Sequence, residues 1–185
     1  AFALRVDIKE LFFQEYRMTD AGGRVDIGEG QVRIANLGCG LFDGDARIAG
    51  LLDLSAEPFR SSLEVSVVDL NVADAVRSVK TVRELVPGIV YAKGHAGVNF
   101  TSNCELGEGF APALQTVNAN GRISVGELAI KDAPLFKEFS KLLVLPELEN
   151  PTFAGGTVSF KIENGTVTFD PYQLKVKNIE GDMGG

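Results

Sequence analysis

The sequence predicts an α+β domain, mainly antiparallel β, in which a curved sheet or groove carries two short amphipathic helices. Three observations predict it. Apolar and polar residues alternate through consecutive segments separated by short Gly/Asp turns, the pattern of an antiparallel meander. The spacing changes to three- and four-residue steps over 71–86 and again over 132–145, which is helical. Asn164-Gly165 stands between two alternating runs, and a two-residue type I′ turn asks for this pair because both positions need positive φ.

In "FALRVDI", Phe2, Leu4, Val6 and Ile8 alternate with Ala3, Arg5 and Asp7. "GRVDIGEGQVRIANL" reads as two strands about a Gly28-Glu29-Gly30 turn, with Val25, Ile27, Val32 and Ile34 on one face. "GLFDGDARIAGLLDLS" is expected to turn at Asp43-Gly44, and in "FRSSLEVSVVDL" Leu63, Val65 and Val67 point one way. Asn71 is placed to cap a helix, with Asp74 three residues on. Val72, Val76, Val79, Val82 and Val86 form its stripe, and Pro87-Gly88 stops it. Valine is a mediocre helix former, so this helix depends on packing against the sheet. "IVYAKGHAGVNFTS" returns to strand, and "GEGFAPALQTVNANG" reads as loop with a helical turn. In the second helix Asp132 is the expected cap and Pro134 sits in the first turn. Leu135, Phe136, Phe139, Leu142 and Leu143 form its apolar face, and Pro146 ends it. Strands at 157–163, 166–170 and roughly 172–177 follow. The whole, 1–185, is a single segment with approximate sub-units 1–88 and 89–185.

Folding the chain at Asn164-Gly165 sets Ile162 opposite Val167 and Phe160 opposite Phe169. Ser159, Lys161, Glu163, Thr166, Thr168 and Asp170 fall on the other face. Val158, Phe160, Ile162, Val167 and Phe169 therefore share an apolar face, which Leu174 and Val176 are expected to continue on the next strand. Ile123 and Val125, then Leu128 and Ile130, are the equivalent positions upstream. The phase shift between Val125 and Leu128 requires a bulge or turn near Gly126. Two helices about 10–12 Å across cover only part of such a sheet, and the uncovered remainder is an apolar trough suited to an apolar ligand or partner. The alternative is that these residues pack under the 132–145 helix, or that the sheet curls on itself and seals them.

With 45% hydrophobic and 23% charged residues in 185, the chain has the composition of a folded domain rather than of a disordered one. A net charge of −7 without a basic cluster argues against nucleic acid and against docking on an anionic membrane surface. No apolar run is long enough to span a bilayer, and "AFALRVDIKE" is not a signal peptide. Both ends read as cut in mid-element, so a piece of a longer protein is expected.

Catalytic equipment is sparse. His95, the one histidine, alternates with Val98 and Phe100 and reads as an exposed strand residue. Gly38, Gly40 and Gly44 lack the Lys-Ser/Thr and the helix start of a phosphate loop. Asp43 and Asp45 lack the further acidic ligands that calcium takes. Asn99-Phe100-Thr101 and Asn164-Gly165-Thr166 fit a glycosylation pattern, although Asn164 is explained by its turn. Cys39 and Cys104 either form one bridge in an oxidising compartment or remain buried small hydrophobes, with free thiols favoured. No catalytic, metal or cofactor site is assigned, and the chain reads as a non-enzyme.

The end of the chain resembles the C-terminal region of the AsmA-like family. The matching parts are a glycine-bearing strand at Asn120-Gly121-Arg122-Ile123, a strand at Leu128-Ala129-Ile130, the 132–145 helix, and the hairpin from Phe160 to Phe169 about Asn164-Gly165. Upstream, "GQVRIANLGCGLFDGDARIAGLLDLSAEPFRSSLEVSVVDLNVADAV" is similar to the family's run of glycine-bearing strands ending at a helix start. The resemblance implies curved antiparallel sheets stacked end to end and lined with apolar side chains. It implies a periplasmic protein of Gram-negative bacteria, anchored to the inner membrane in full-length form, that moves phospholipid or another acyl-chain lipid toward the outer membrane. The implied partners are lipid and flanking repeats of the same chain, with the membrane reached only through segments absent from this sequence. A structural or protein-interaction module is the alternative.

Overall fold

A computed structural model describes residues 2–13, 16–176 and 179–183, with side chains at all of these except 13, 87, 154 and 172–183. Nine strands pair in sequence order: β1 (Phe2–Phe13), β2 (Tyr16–Gly28), β3 (Gln31–Leu41), β4 (Gly44–Asp53), β5 (Arg60–Asn71), β6 (Ala92–Glu105), β7 (Asn118–Ile130), β8 (Thr152–Glu163) and β9 (Thr166–Phe169). The sheet is antiparallel, curved and open. The expected sub-units share it, since β5 and β6 pair across the boundary near residue 88. β10 (Tyr172–Val176) pairs with β11 (Ile179–Met183) as a separate two-stranded sheet. Among the described residues β10 is paired with β11 and not with β9, while its backbone lies against β8.

The turns follow from residues that tolerate positive φ. Glu29 (φ 54°) with Gly30 (φ 74°), and Asn164 (φ 50°) with Gly165 (φ 77°), make the two expected hairpins. The β3–β4 turn corrects the expectation of Asp43-Gly44: its central pair is Phe42 (φ 53°) and Asp43 (φ 62°), and Gly44 opens β4 opposite Leu41. The backbone N–H of Asn71 donates to the Phe42 carbonyl at 2.7 Å. This holds Phe42 in the unusual conformation while its ring meets Tyr16 edge-on at 6.4 Å.

Bulges bend the strands. Opposite His95–Ala96, β7 skips from Glu127 to Val125 and leaves Gly126 out of register, the bulge that the Val125/Leu128 phase shift required. Similar shifts lie between Ile34 and Leu37 on β3 and between Val67 and Leu70 on β5, with Asp69 at φ 58° inside the second. Each is written in the sequence as a three-residue step between apolar residues, which returns the apolar side chain to the same face.

The helix expected over 71–86 is two helices, α1 (Val72–Ser78) and α2 (Lys80–Leu85). Asn71 caps α1 as expected, its side chain accepting from Asp74 N–H at 3.2 Å. Val79 leaves the helical region (φ −93°, ψ 96°), where a β-branched residue loses little by becoming extended. The Arg83 guanidinium donates to the carbonyls of Val76 (2.7 Å) and Arg77, satisfying orphan acceptors at the C-terminus of α1. A 3-10 turn, Pro87–Tyr91, replaces the start expected for β6. Further 3-10 turns at Glu108–Phe110 and Leu114–Thr116 fill the expected loop.

The second expected helix is α3 (Pro134–Leu143). Ala133, not Asp132, is its N-cap, and no side chain caps it. Asp132 has φ 58°; its carboxylate accepts from Lys137 Nζ at 2.9 Å and its backbone N–H donates to Asn150 Oδ1 at 2.9 Å. Turned toward Lys137, the carboxylate cannot serve the helix N–H groups.

Candidate functional site

One row of cross-strand partners crosses all nine strands: Val6, Gly23, Leu37, Ile48, Val65, Phe100, Gly121, Phe160 and Phe169. Directly paired residues share a face, so the apolar surface is continuous from β1 to β9. The opposite face is polar. Arg47, Ser66, Asn99, Arg122 and Ser159 form a parallel row across β4 to β8.

The candidates from the sequence fall on the apolar face. Phe160 pairs with Phe169 and Ile162 with Val167, as the hairpin demanded. Val158 pairs with Ile123. Ile123, Val125, Leu128 and Ile130 border the larger apolar cluster, half-buried. Phe160 and Val167 border a smaller one around Val117, Ala119 and Ile162. Val158 and Phe169 are half-buried too, whereas Ile162 is buried at 9% exposure. The side chains of Leu174 and Val176 lie outside the described residues. The Phe160 ring reaches over Gly121, which has no side chain to block it: a β-carbon there would meet Phe160 Cζ at 2.6 Å.

Cover comes from α1 and α2. Val72 and Val76 are buried with Ala46, Val67, Leu70, Ala92 and Ala96, and Val82 packs against that cluster. Leu85 reaches the smaller cluster. Among the described residues α3 supplies none to either cluster; a ring contact between Phe136 and Phe153 at 6.2 Å joins it to β8. The alternative that the hairpin residues pack under the 132–145 helix is thus replaced by cover from the β5–β6 connection. The valine-rich 71–86 stripe, expected to depend on the sheet, meets it, whereas nothing in the 132–145 stripe signals that it stays off.

β1 forms one edge, with Phe2 59% exposed and Leu4 45% exposed. The face is therefore least covered at that side.

The remaining chemical candidates are scattered. His95 is exposed on β6, opposite Asn71 and Glu127 in the ladder. Asp43 and Asp45 are exposed. Among the described residues no group of three or more His, Cys, Asp or Glu could hold a metal ion. Cys39 is buried on β3, and burial pushes its thiol pKa up. Cys104, on β6, lies 3.2 Å from the Ser61 hydroxyl. Three strand spacings place the two sulfurs roughly 14 Å apart or more, beyond the reach of a disulfide; both thiols are free.

Fold and face define a class: a two-faced, open antiparallel sheet whose apolar side is half-covered by a helical insertion. No family model, no curated protein and no solved structure matches the chain. No helix among the described residues is long and apolar enough to cross a membrane.

Proposed function

We propose that this chain is a lipid-binding β-groove segment of an AsmA-like protein, periplasmic and anchored to the inner membrane through other parts of the molecule, that helps to move phospholipid toward the outer membrane. The observation that carries the reading is the unbroken apolar row through nine strands, lined mostly by half-buried side chains rather than by a sealed core. Each methylene withdrawn from water is worth roughly 0.8 kcal/mol, so an acyl chain laid along such a face loses most of its penalty for leaving a bilayer. The process needs no base, metal or nucleotide. Purification from cells under mild conditions, followed by mass spectrometry of extracted lipid, tests it. Stoichiometric phospholipid that survives washing supports the reading, and a folded chain that never carries lipid overturns it.

A structural or interaction module is the second reading, and the β1 edge favours it. Among the described residues the twelve of β1 have no strand on their outer side and lie beside an exposed apolar strip, the template that an added strand uses. Flanking repeats of the same chain are the natural source of that strand. Concentration-dependent association without lipid supports this reading; a lipid-bearing monomer counts against it.

A further inference from the structure

The apolar stripe of α3 faces water. Leu135, Phe139 and Leu142 follow one another at steps of four and three residues, and Leu143 and Val144 widen the stripe. Leu142 is 77% exposed and Val144 82%. Val144 ends the helix in the left-handed region (φ 54°, ψ 41°), a conformation that costs a β-branched residue energy. The face therefore has work outside the sheet.

We propose that α3 docks with this stripe in the interfacial region of a zwitterionic phospholipid bilayer. Three observations select that occupant. The first is area. Ten residues of helix, about 15 Å long, and the Val144 cap offer one short face with five exposed apolar side chains, less than the ~800 Å² per partner that a stable protein interface buries. A bilayer interface sets no such threshold and needs no complementary pocket. The second is charge. Between 131 and 149, Lys131, Lys137 and Lys141 stand against Asp132, Glu138, Glu147 and Glu149, so nothing favours an anionic surface and attachment is apolar. The third is continuity, and it rests on the lipid-carrying reading. Phe136 meets Phe153 at 6.2 Å, and Phe153 pairs with Leu128 on the apolar face. An acyl chain leaving a bilayer beneath α3 would meet the sheet without crossing a polar break.

Co-sedimentation of the whole chain with phosphatidylcholine vesicles tests the proposal. The chain has no tryptophan, so F139W reports on this site alone. The expected results are binding that varies by less than about twofold between low and high salt, a blue shift of the F139W emission on adding vesicles, and a loss of bound fraction of about tenfold or more in L142E/V144E at unchanged circular dichroism. Absence of binding by the folded chain overturns the proposal, as does equal binding by the double variant. Self-association without vesicles that disappears in L142E/V144E also overturns it, because the occupant is then a second copy. Extracted lipid separates the two readings. A double variant that keeps its lipid but loses vesicle binding supports both, whereas vesicle binding by a chain without extractable lipid leaves the docking and removes the groove.

Discussion

Gly44 and Val68 come so close that a β-carbon on the glycine would lie 2.4 Å from the Val68 carbonyl oxygen and 2.8 Å from the Leu70 nitrogen. The bulge at Asp69 pushes the β5 backbone toward β4 at this point. The glycine that looks like half of a turn is there to let two backbones touch, and Phe42-Asp43 makes the turn. Gly44→Ala is therefore expected to cost about 1–3 kcal/mol through overpacking. Gly126, whose β-carbon would meet nothing within 4 Å, is expected to accept alanine within about 0.5 kcal/mol. Urea midpoints of the two variants check the contrast, and equal midpoints would refute it.

Leu4 and Ile162 lie on the same face but at opposite extremes of cover, 45% and 9% exposed. A carboxylate at Leu4 reaches water, so Leu4→Glu should fold normally and carry less lipid. At Ile162 the charge is trapped, and its burial cost approaches the whole stability of a domain, about 5–15 kcal/mol. Ile162→Glu should yield little soluble folded protein. Soluble, folded Ile162→Glu protein would show that this end of the face is open after all.

The Asn164-Gly165 turn is anchored as well as shaped. Gly165 N–H donates to the Val117 carbonyl at 3.0 Å, and Asn164 N–H to Asn118 Oδ1 at 3.2 Å. A β-carbon on Gly165 would lie 2.4 Å from the Leu114 carbonyl oxygen at φ 77°. Gly165→Ala should lose both conformation and docking, a cost of about 2 kcal/mol or more, against roughly 1 kcal/mol for Asn164→Ala. Denaturant titration of the two variants orders them, and the reverse order would contradict this account.

The start of α3 is expected to respond to acid. A side-chain hydrogen bond from Lys137, then its charge, holds the Asp132 carboxyl below the usual range and raises the lysine. A depressed carboxyl stabilises the folded state above its unfolded pKa of about 3.9 and loses that contribution as pH falls through the lower folded value. The lysine contributes fully below about 10.4 and loses its share as pH rises through the raised value. Both groups are solvent-exposed, so the effect is local. Amide protection at 135–137, taken relative to the intrinsic exchange rate at each pH, should fall below about pH 4, and Asp132→Asn should abolish that acid response. An unchanged response in the variant would rule the pair out.

Buried Cys39, with its thiol pKa raised by desolvation, should resist alkylation in the native chain, while half-buried Cys104 reacts sooner. Mass-resolved labelling in increasing urea should show Cys39 reacting only with global unfolding. The raised thiol also means that stability declines as pH climbs above the unfolded value of about 8.5, because the unfolded state releases its proton first. Cys39→Ala should remove that decline. Equal native labelling of both cysteines would contradict the burial.

The meander, the faces of its strands, the cap at Asn71 and the Asn164-Gly165 hairpin were all legible in the sequence, because each depends on residues within a few positions of one another. The break near Gly126 was legible for the same reason: a three-residue step between Val125 and Leu128 keeps both on one face only through a bulge or turn, and the structure has the bulge. The packing of the valine-rich helices on the sheet was legible too, from their weak helix propensity; what tertiary structure alone decided is that α3 does not join them. α1 and α2 lie on the apolar sheet while the better-formed stripe of α3 faces away from it. A stripe records that a helix wants an apolar neighbour and nothing about which one. That choice rests on packing between residues distant in the chain: Val76 shares one cluster with Ala46, and Leu85 borders the cluster of Ile162.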